Sequence, residues 1–133
     1  MGLPEARRAL KRARRQLARV QVAWIEPADP TAAVTFAFYA YENAVVAVAE
    51  ARAIKWTKVH HEKANLARKL FNQGILATNA EERLLELNDL RKDVAYDEPG
   101  PELEQVDLED LARDLELFID EVEGVIDELQ DSS

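Results

Sequence analysis

Apolar residues recur at alternating spacings of three and four along most of this chain, and that spacing marks helices. Ala6, Leu10, Ala13, Leu17, Val20 and Trp24 form one such seam and predict a first helix over about Pro4 to Trp24. Pro4 suits its first turn. Arg7, Arg8, Lys11, Arg12, Arg14, Arg15 and Arg19 fill its other faces. Pro27 and Pro30 punctuate the following loop. A second helix is expected from an Asp29 cap, with Pro30 in its first position, to about Trp56. From Ala32 to Ile54 it is apolar on nearly every side, which predicts a buried central helix. Ala33, Ala37, Ala40, Ala44, Ala47 and Ala51 line up as a small-residue stripe. Another helix can approach that stripe closely, within the subunit or across a dimer.

Three further helices follow. The third spans about His60 to Gln73 and stops at Gly74. The fourth starts near Asn79, where Asn79-x-x-Glu82 reads as a variant capping box, and buries Leu84, Leu87, Leu90 and Val94. Pro99 closes it by biasing Glu98 away from helix. The fifth starts near Asp107 and carries Leu108, Leu111, Leu115, Phe118, Val122, Val125 and Leu129 at heptad-like spacing. The tail Asp131-Ser132-Ser133 is expected to fray. Helices one and five have matching seams and opposite charge, so they are expected side by side, arginines against carboxylates. The fold class is all-α: one domain over 1–133, an up-and-down bundle of four to five helices.

Composition agrees, being rich in Ala, Leu, Glu and Arg and poor in Gly and Pro. The chain has 133 residues, enough for one buried core. It has no cysteine, which excludes disulfides, zinc-thiolate sites and a cysteine nucleophile and fits a reducing cytoplasm. The N-terminus is charged from Glu5 onward, so no Sec-type leader is expected. No uninterrupted apolar run approaches the ~20 residues of a membrane span, and no membrane partner is expected. The net charge of −9 is unevenly divided: residues 1–78 hold 13 Lys/Arg and 6 Asp/Glu, residues 79–133 hold 4 and 20. The acidic total argues against nonspecific coating of nucleic acid. The basic first helix has few aromatics besides Trp24, so it lacks the stacking platform expected of a single-strand binder.

The segment Leu87-Asn88-Asp89-Leu90-Arg91-Lys92-Asp93-Val94-Ala95-Tyr96 holds the clearest chemistry. Arg91 sits among short polar residues near the end of a helix, where a cation can bind phosphate. The bland reading pairs Arg91 with Asp89, Asp93, Glu86 or an acid of the fifth helix. Tyr96 then reads as a half-buried aromatic. His60 and His61 are the only histidines. Neighbours on a helix diverge by about 100°, so they form no chelating pair. Asp89, Asp93 and Asp97 share a face that reads as solvated rather than as a metal site. No Gly-rich phosphate loop, HExxH or Ser-His-Asp set is present, and no metal or cofactor is expected.

Three segments together resemble the HEPN superfamily (higher eukaryotes and prokaryotes nucleotide-binding). Phe38-Tyr39-Ala40-Tyr41-Glu42-Asn43-Ala44 resembles the Tyr-Tyr-Ala-x-x-x-Ala stretch of many such domains. Thr57-Lys58-Val59-His60-His61 is similar to their Lys-x-His junction, and Leu87 to Asp97 to their signature helix. The likeness spans roughly Pro30 to Asp127 and implies a four- or five-helix domain. In active members an Arg and a His, with four to six residues between them, cleave RNA without metal, with two signatures meeting across a dimer. The resemblance places Arg91 at that Arg, Asp93 in the polar stretch behind it, and Tyr96 where the His belongs. An ordinary Tyr, with a pKa near ~10, is a poor base at neutral pH. Asn88, Tyr39, His60 and His61 are then supporting residues, and His60 or His61 is the candidate replacement base. The implied setting is a cytoplasmic toxin-antitoxin or defence protein with an RNA- or nucleotide-related role and a degenerate nuclease site. It implies a homodimer around helices two and four, and a cognate antitoxin or nucleotidyltransferase as partner. Nucleotide modification of Tyr96 is a weaker option, because the position that carries the modified Tyr in such proteins is Glu98 here. The alternative is a non-catalytic helical dimerisation and protein-interaction module, a regulatory or antitoxin-like subunit showing the acidic fifth helix to a basic partner.

Overall fold

The computed structural model describes residues 2–25, 29–96 and 105–131, without the side chains of 24, 25, 93–96 and 131. Among the described residues there are five helices and no strand: α1 (Leu3–Ile25), α2 (Pro30–Ala51), α3 (His60–Asn72), α4 (Glu81–Tyr96) and α5 (Leu108–Asp131). Contact pairs give their directions. Arg19 lies over the Phe36 ring and Gln16 bonds Asn43, so α1 and α2 are antiparallel. Arg91 meets Phe38 while Arg83 meets Tyr41, so α2 and α4 are antiparallel too. Arg7 meets Asp127 and Arg14 meets Asp120, which runs α5 antiparallel to α1. The four long helices therefore alternate up and down, and the short α3 rides beside α2 and α4.

α2 is the centre of this bundle. Asp29 caps it as expected, its carboxylate accepting from the Ala32 N–H at 3.1 Å. Successive residues turn by about 100°, so the contacts map its sides. Phe36 faces α1, Tyr41 packs on Phe118 of α5, and Phe38 meets α4 and α3. The alanine stripe falls between the Phe36 and Tyr41 sides, which is where α1 lies. Ala33, Ala37, Ala40, Ala44 and Ala47 are fully buried there, and α1 answers with Ala6, Ala9 and Ala13. The stripe is thus consumed inside the chain. By length and composition α2 could cross a membrane, with a mean hydropathy of 1.4, although no uninterrupted run is that long; 72% of that window is buried by its neighbours.

α2 ends at Ala51, five residues before the expected Trp56. Ala53 takes a left-handed φ of 56°, and the Ile54 N–H turns back to the Ala49 carbonyl at 2.8 Å. This is a Schellman-type stop formed without glycine. Gly74 makes the same stop for α3, with φ 74° and Ile75 N–H donating to the Leu70 carbonyl. Asn79 caps α4 by accepting from the Glu81 N–H, and Asp107 caps α5 by accepting from the Asp110 N–H. Leu84, Leu87 and Leu90 are buried as expected. The side chain of Val94, and the stop at Pro99, lie outside the described residues.

The charge pairing between the first and last helices is present. Arg7 reaches Asp127 at 2.6 Å, and Arg14 reaches Asp120 and Glu123 at 2.8 and 3.0 Å. These pairs are a third or more exposed, so they fix register more than stability. The α5 seam drifts along its length. Leu111, Leu115, Phe118 and Val122 are buried, but Ile119 and Ile126 complete the core while Val125 and Leu129 sit only half-buried.

Candidate functional site

Glu42 is the single charged residue between Ala32 and Ala49, and it is 3% exposed. Such a carboxylate must be partnered. Its Oε2 lies 2.7 Å from His60 Nδ1 and its Oε1 lies 3.5 Å from Lys63 Nζ. A carboxylate only accepts, so the hydrogen between them sits on His60 Nδ1. Lys63 also lies over the Trp56 ring, whose Nε1 donates to Glu50 at 2.7 Å. These contacts pin the start of α3 and its approach against α2.

Phe38 joins this group to α4. The His60 ring meets it edge-on at 5.1 Å, and the Arg91 guanidinium lies 5.0 Å from its centre. His60 and Arg91 are therefore no more than about 10 Å apart. Arg91 also lies 5.8 Å from the centre of the Tyr39 ring. Its Nη2 donates to Asn88 Oδ1 at 2.9 Å, and its Nε is buried without a hydrogen-bond partner among the described residues. No described carboxylate pairs with it. Of the acids offered as partners, Glu86 faces Arg83 and Asp89 is exposed, while the side chain of Asp93 lies outside the described residues.

Four of the sequence-derived residues, Arg91, Asn88, Tyr39 and His60, come together. His61 is exposed and makes none of these contacts. The side chains of Asp93 and Tyr96 lie outside the described residues, as does Asp97. Phe38, Glu42 and Lys63 belong to the site and were missed. Their signal was a lone acid in an apolar helix, with an aromatic four residues before it. Among the described residues no cluster of His, Cys, Asp or Glu is arranged to hold a metal ion.

Away from Arg91, a cavity opens where α4 and α5 stand apart, bridged by the 2.7 Å Arg83–Asp114 pair. This cavity of about 720 Å³ is bordered by Tyr41, Phe118, Leu117, Glu82, Glu86 and Glu121. Burial pushes the Tyr41 hydroxyl up to about 12, against the opposing Arg83 guanidinium. A raised phenol loses its proton later in the fold than in the open chain. Tyr41 therefore adds stability below about pH 10, and that is lost as pH rises toward about 12, on the order of 2–3 kcal/mol. Tyr41→Phe is expected to flatten the alkaline end of a pH–melting curve. An unchanged curve, or a Tyr41 phenolate signal near pH ~10, would refute the assignment.

No family model, curated protein or solved structure matches this chain. The geometry of Arg91 and its neighbours carries the functional argument.

Proposed function

We propose that this chain is a HEPN-like domain that binds RNA or a nucleotide through phosphate at Arg91, with a nuclease site that has lost its signature histidine. The supporting observation is the state of Arg91. In a chain with 26 acidic residues, its guanidinium lies on two aromatic rings, with an orphaned Nε and no described carboxylate partner. A guanidinium carries five donors in a fixed fork, and Asn88 takes one. The remaining Nη donors suit a phosphate. His60 stands on the same Phe38 ring with Glu42 behind it, the arrangement expected of a base whose orientation is fixed. The toxin-antitoxin or defence setting, the homodimer and the cognate partner rest on the HEPN resemblance.

The test is binding and expression of wild type, Arg91→Ala and His60→Ala. Fluorescence anisotropy with labelled RNA and with a nucleoside monophosphate is expected to show about tenfold or greater loss in Arg91→Ala, with helicity unchanged. His60→Ala is expected to keep binding and to remove whatever RNA cleavage the wild type has. Equal binding by Arg91→Ala sinks the phosphate reading. The protein-interaction module then takes its place. That second reading is favoured by Leu117, 62% exposed at the edge of the acid-lined α4–α5 cavity, a surface suited to a basic, partly apolar helix.

A further inference from the structure

α2 has one uncovered side. Ala32, Phe36, Tyr39 and Asn43 are only half-buried, and at about 100° per residue they fall on one face. Each aromatic on this seam lies under an arginine from a different flanking helix. Arg19 of α1 is 5.1 Å from the Phe36 ring centre, and Arg91 of α4 is 5.8 Å from that of Tyr39. Phe36 and Tyr39 are three residues apart, so their Cβ atoms are about 5–6 Å apart. The seam is thus two ring–guanidinium pairs side by side. Helix α1 itself carries few aromatics, and the ring beside its Arg19 comes from α2.

Arg19 and Arg91 differ from the arginines that serve the fold. Arg7, Arg14, Arg68, Arg83 and Arg113 each hold a carboxylate. Arg19 and Arg91 hold none among the described residues. Arg12 and Arg15 share the outward face of α1 with Arg19, and both are exposed and without a described carboxylate partner. The arginines that pair with the acidic α5 leave α1 on a flank roughly 150° around from Arg12 and Arg19. The seam therefore has basic charge beside it, and the acidic helix lies on the far flank of α1.

We propose that this seam is a track for single-stranded RNA, running from the Arg91 site across Tyr39 and Phe36 to the basic face of α1. It rests on the reading of Arg91 as a phosphate site and adds the strand's path. Bases stack on such ring–guanidinium pairs without sequence preference, while the arginines of α1 beside them take the backbone phosphates. A duplex keeps its base faces covered and cannot use the rings, so the track selects single strands.

The test uses the full chain, a labelled oligouridylate of about 12 nucleotides, the same strand in a duplex, and a nucleoside monophosphate. The variants are Phe36→Leu, which keeps apolar volume and removes the ring face, and Arg19→Glu, each checked for wild-type helicity and melting. Wild type is expected to bind the single strand about tenfold or more tighter than the duplex. Phe36→Leu is expected to lose about tenfold on the single strand and nothing on the monophosphate. Arg19→Glu is expected to weaken single-strand binding and to lower the slope of log affinity against log salt by about 0.7. Wild-type single-strand binding in both variants overturns the track and leaves the Arg91 site standing. No preference for single strand over duplex overturns it as well. Monophosphate binding that survives Arg91→Ala overturns the reading beneath. If the two variants instead abolish a concentration-dependent self-association and RNA does not bind, the seam is a contact between copies and the track is refuted.

Discussion

Ala44→Asp is expected to abolish the folded state at room temperature. Ala44 is fully buried on the side of α2 that faces α1, in line with Ala40 and Ala47. By the register of the Gln16–Asn43 bond it lies opposite the stretch of α1 that buries Ala13 and Leu17. A carboxylate placed there is desolvated, at a cost of several kcal/mol per ion after relaxation. Its volume adds about 1–3 kcal/mol of overpacking. A domain of this size holds only about 5–15 kcal/mol in total. Ala44→Gly creates no charge and no clash, so it is expected to cost only about 1 kcal/mol. Circular dichroism melts of the pair decide the matter. If Ala44→Asp melts cooperatively within a few degrees of wild type, α1 does not sit on the stripe.

How much of this was legible depends on whether an element has one solvent face. α1 and α5 do, so their seams, their caps and their mutual charge pairing could be read from spacing alone. The drift of the α5 seam follows from geometry. A straight helix with 3.6 residues per turn slides off a strict heptad, so Ile126 replaces Val125 and Leu129 in the core. The end of α2 was not legible, because its stop is a conformation and not a residue type. Ala53 adopts φ 56° where glycine is the usual marker. The site divides in the same way. Arg91, Asn88, Tyr39 and His60 were found through motif resemblance. Phe38 and Glu42 were not, because a helix that is apolar all round gives no periodicity to say which side meets α3 and α4. Asp89, two places before Arg91, is exposed for a related reason: on a helix, neighbours one or two places apart do not face each other. Asn88, three residues before it, does.

Phe38→Ala is expected to destabilise the chain by about 3–5 kcal/mol, lowering the melting temperature on the order of 10–20 °C. Phe38 is 1% exposed and among the largest fully buried side chains, so its loss leaves a cavity that the surrounding helices fill only in part. It is also the joint of the site, with the Arg91 guanidinium on one contact and the His60 ring on another. Stability and function can be separated at this position. Phe38→Leu keeps most of the apolar volume and is expected to cost no more than about 1.5 kcal/mol. It removes the ring, and with it a cation–aromatic attraction worth about 0.5–2 kcal/mol at a partly desolvated site. A guanidinium released from that ring can turn toward solvent or toward the abundant acids of α4. Phe38→Leu is therefore expected to fold normally and to bind a nucleoside monophosphate several-fold more weakly than wild type. Urea unfolding and anisotropy on the same samples give both quantities. A Phe38→Leu protein that binds as wild type would show that the ring is core alone, and that Arg91 is positioned by Asn88 and Tyr39 without it.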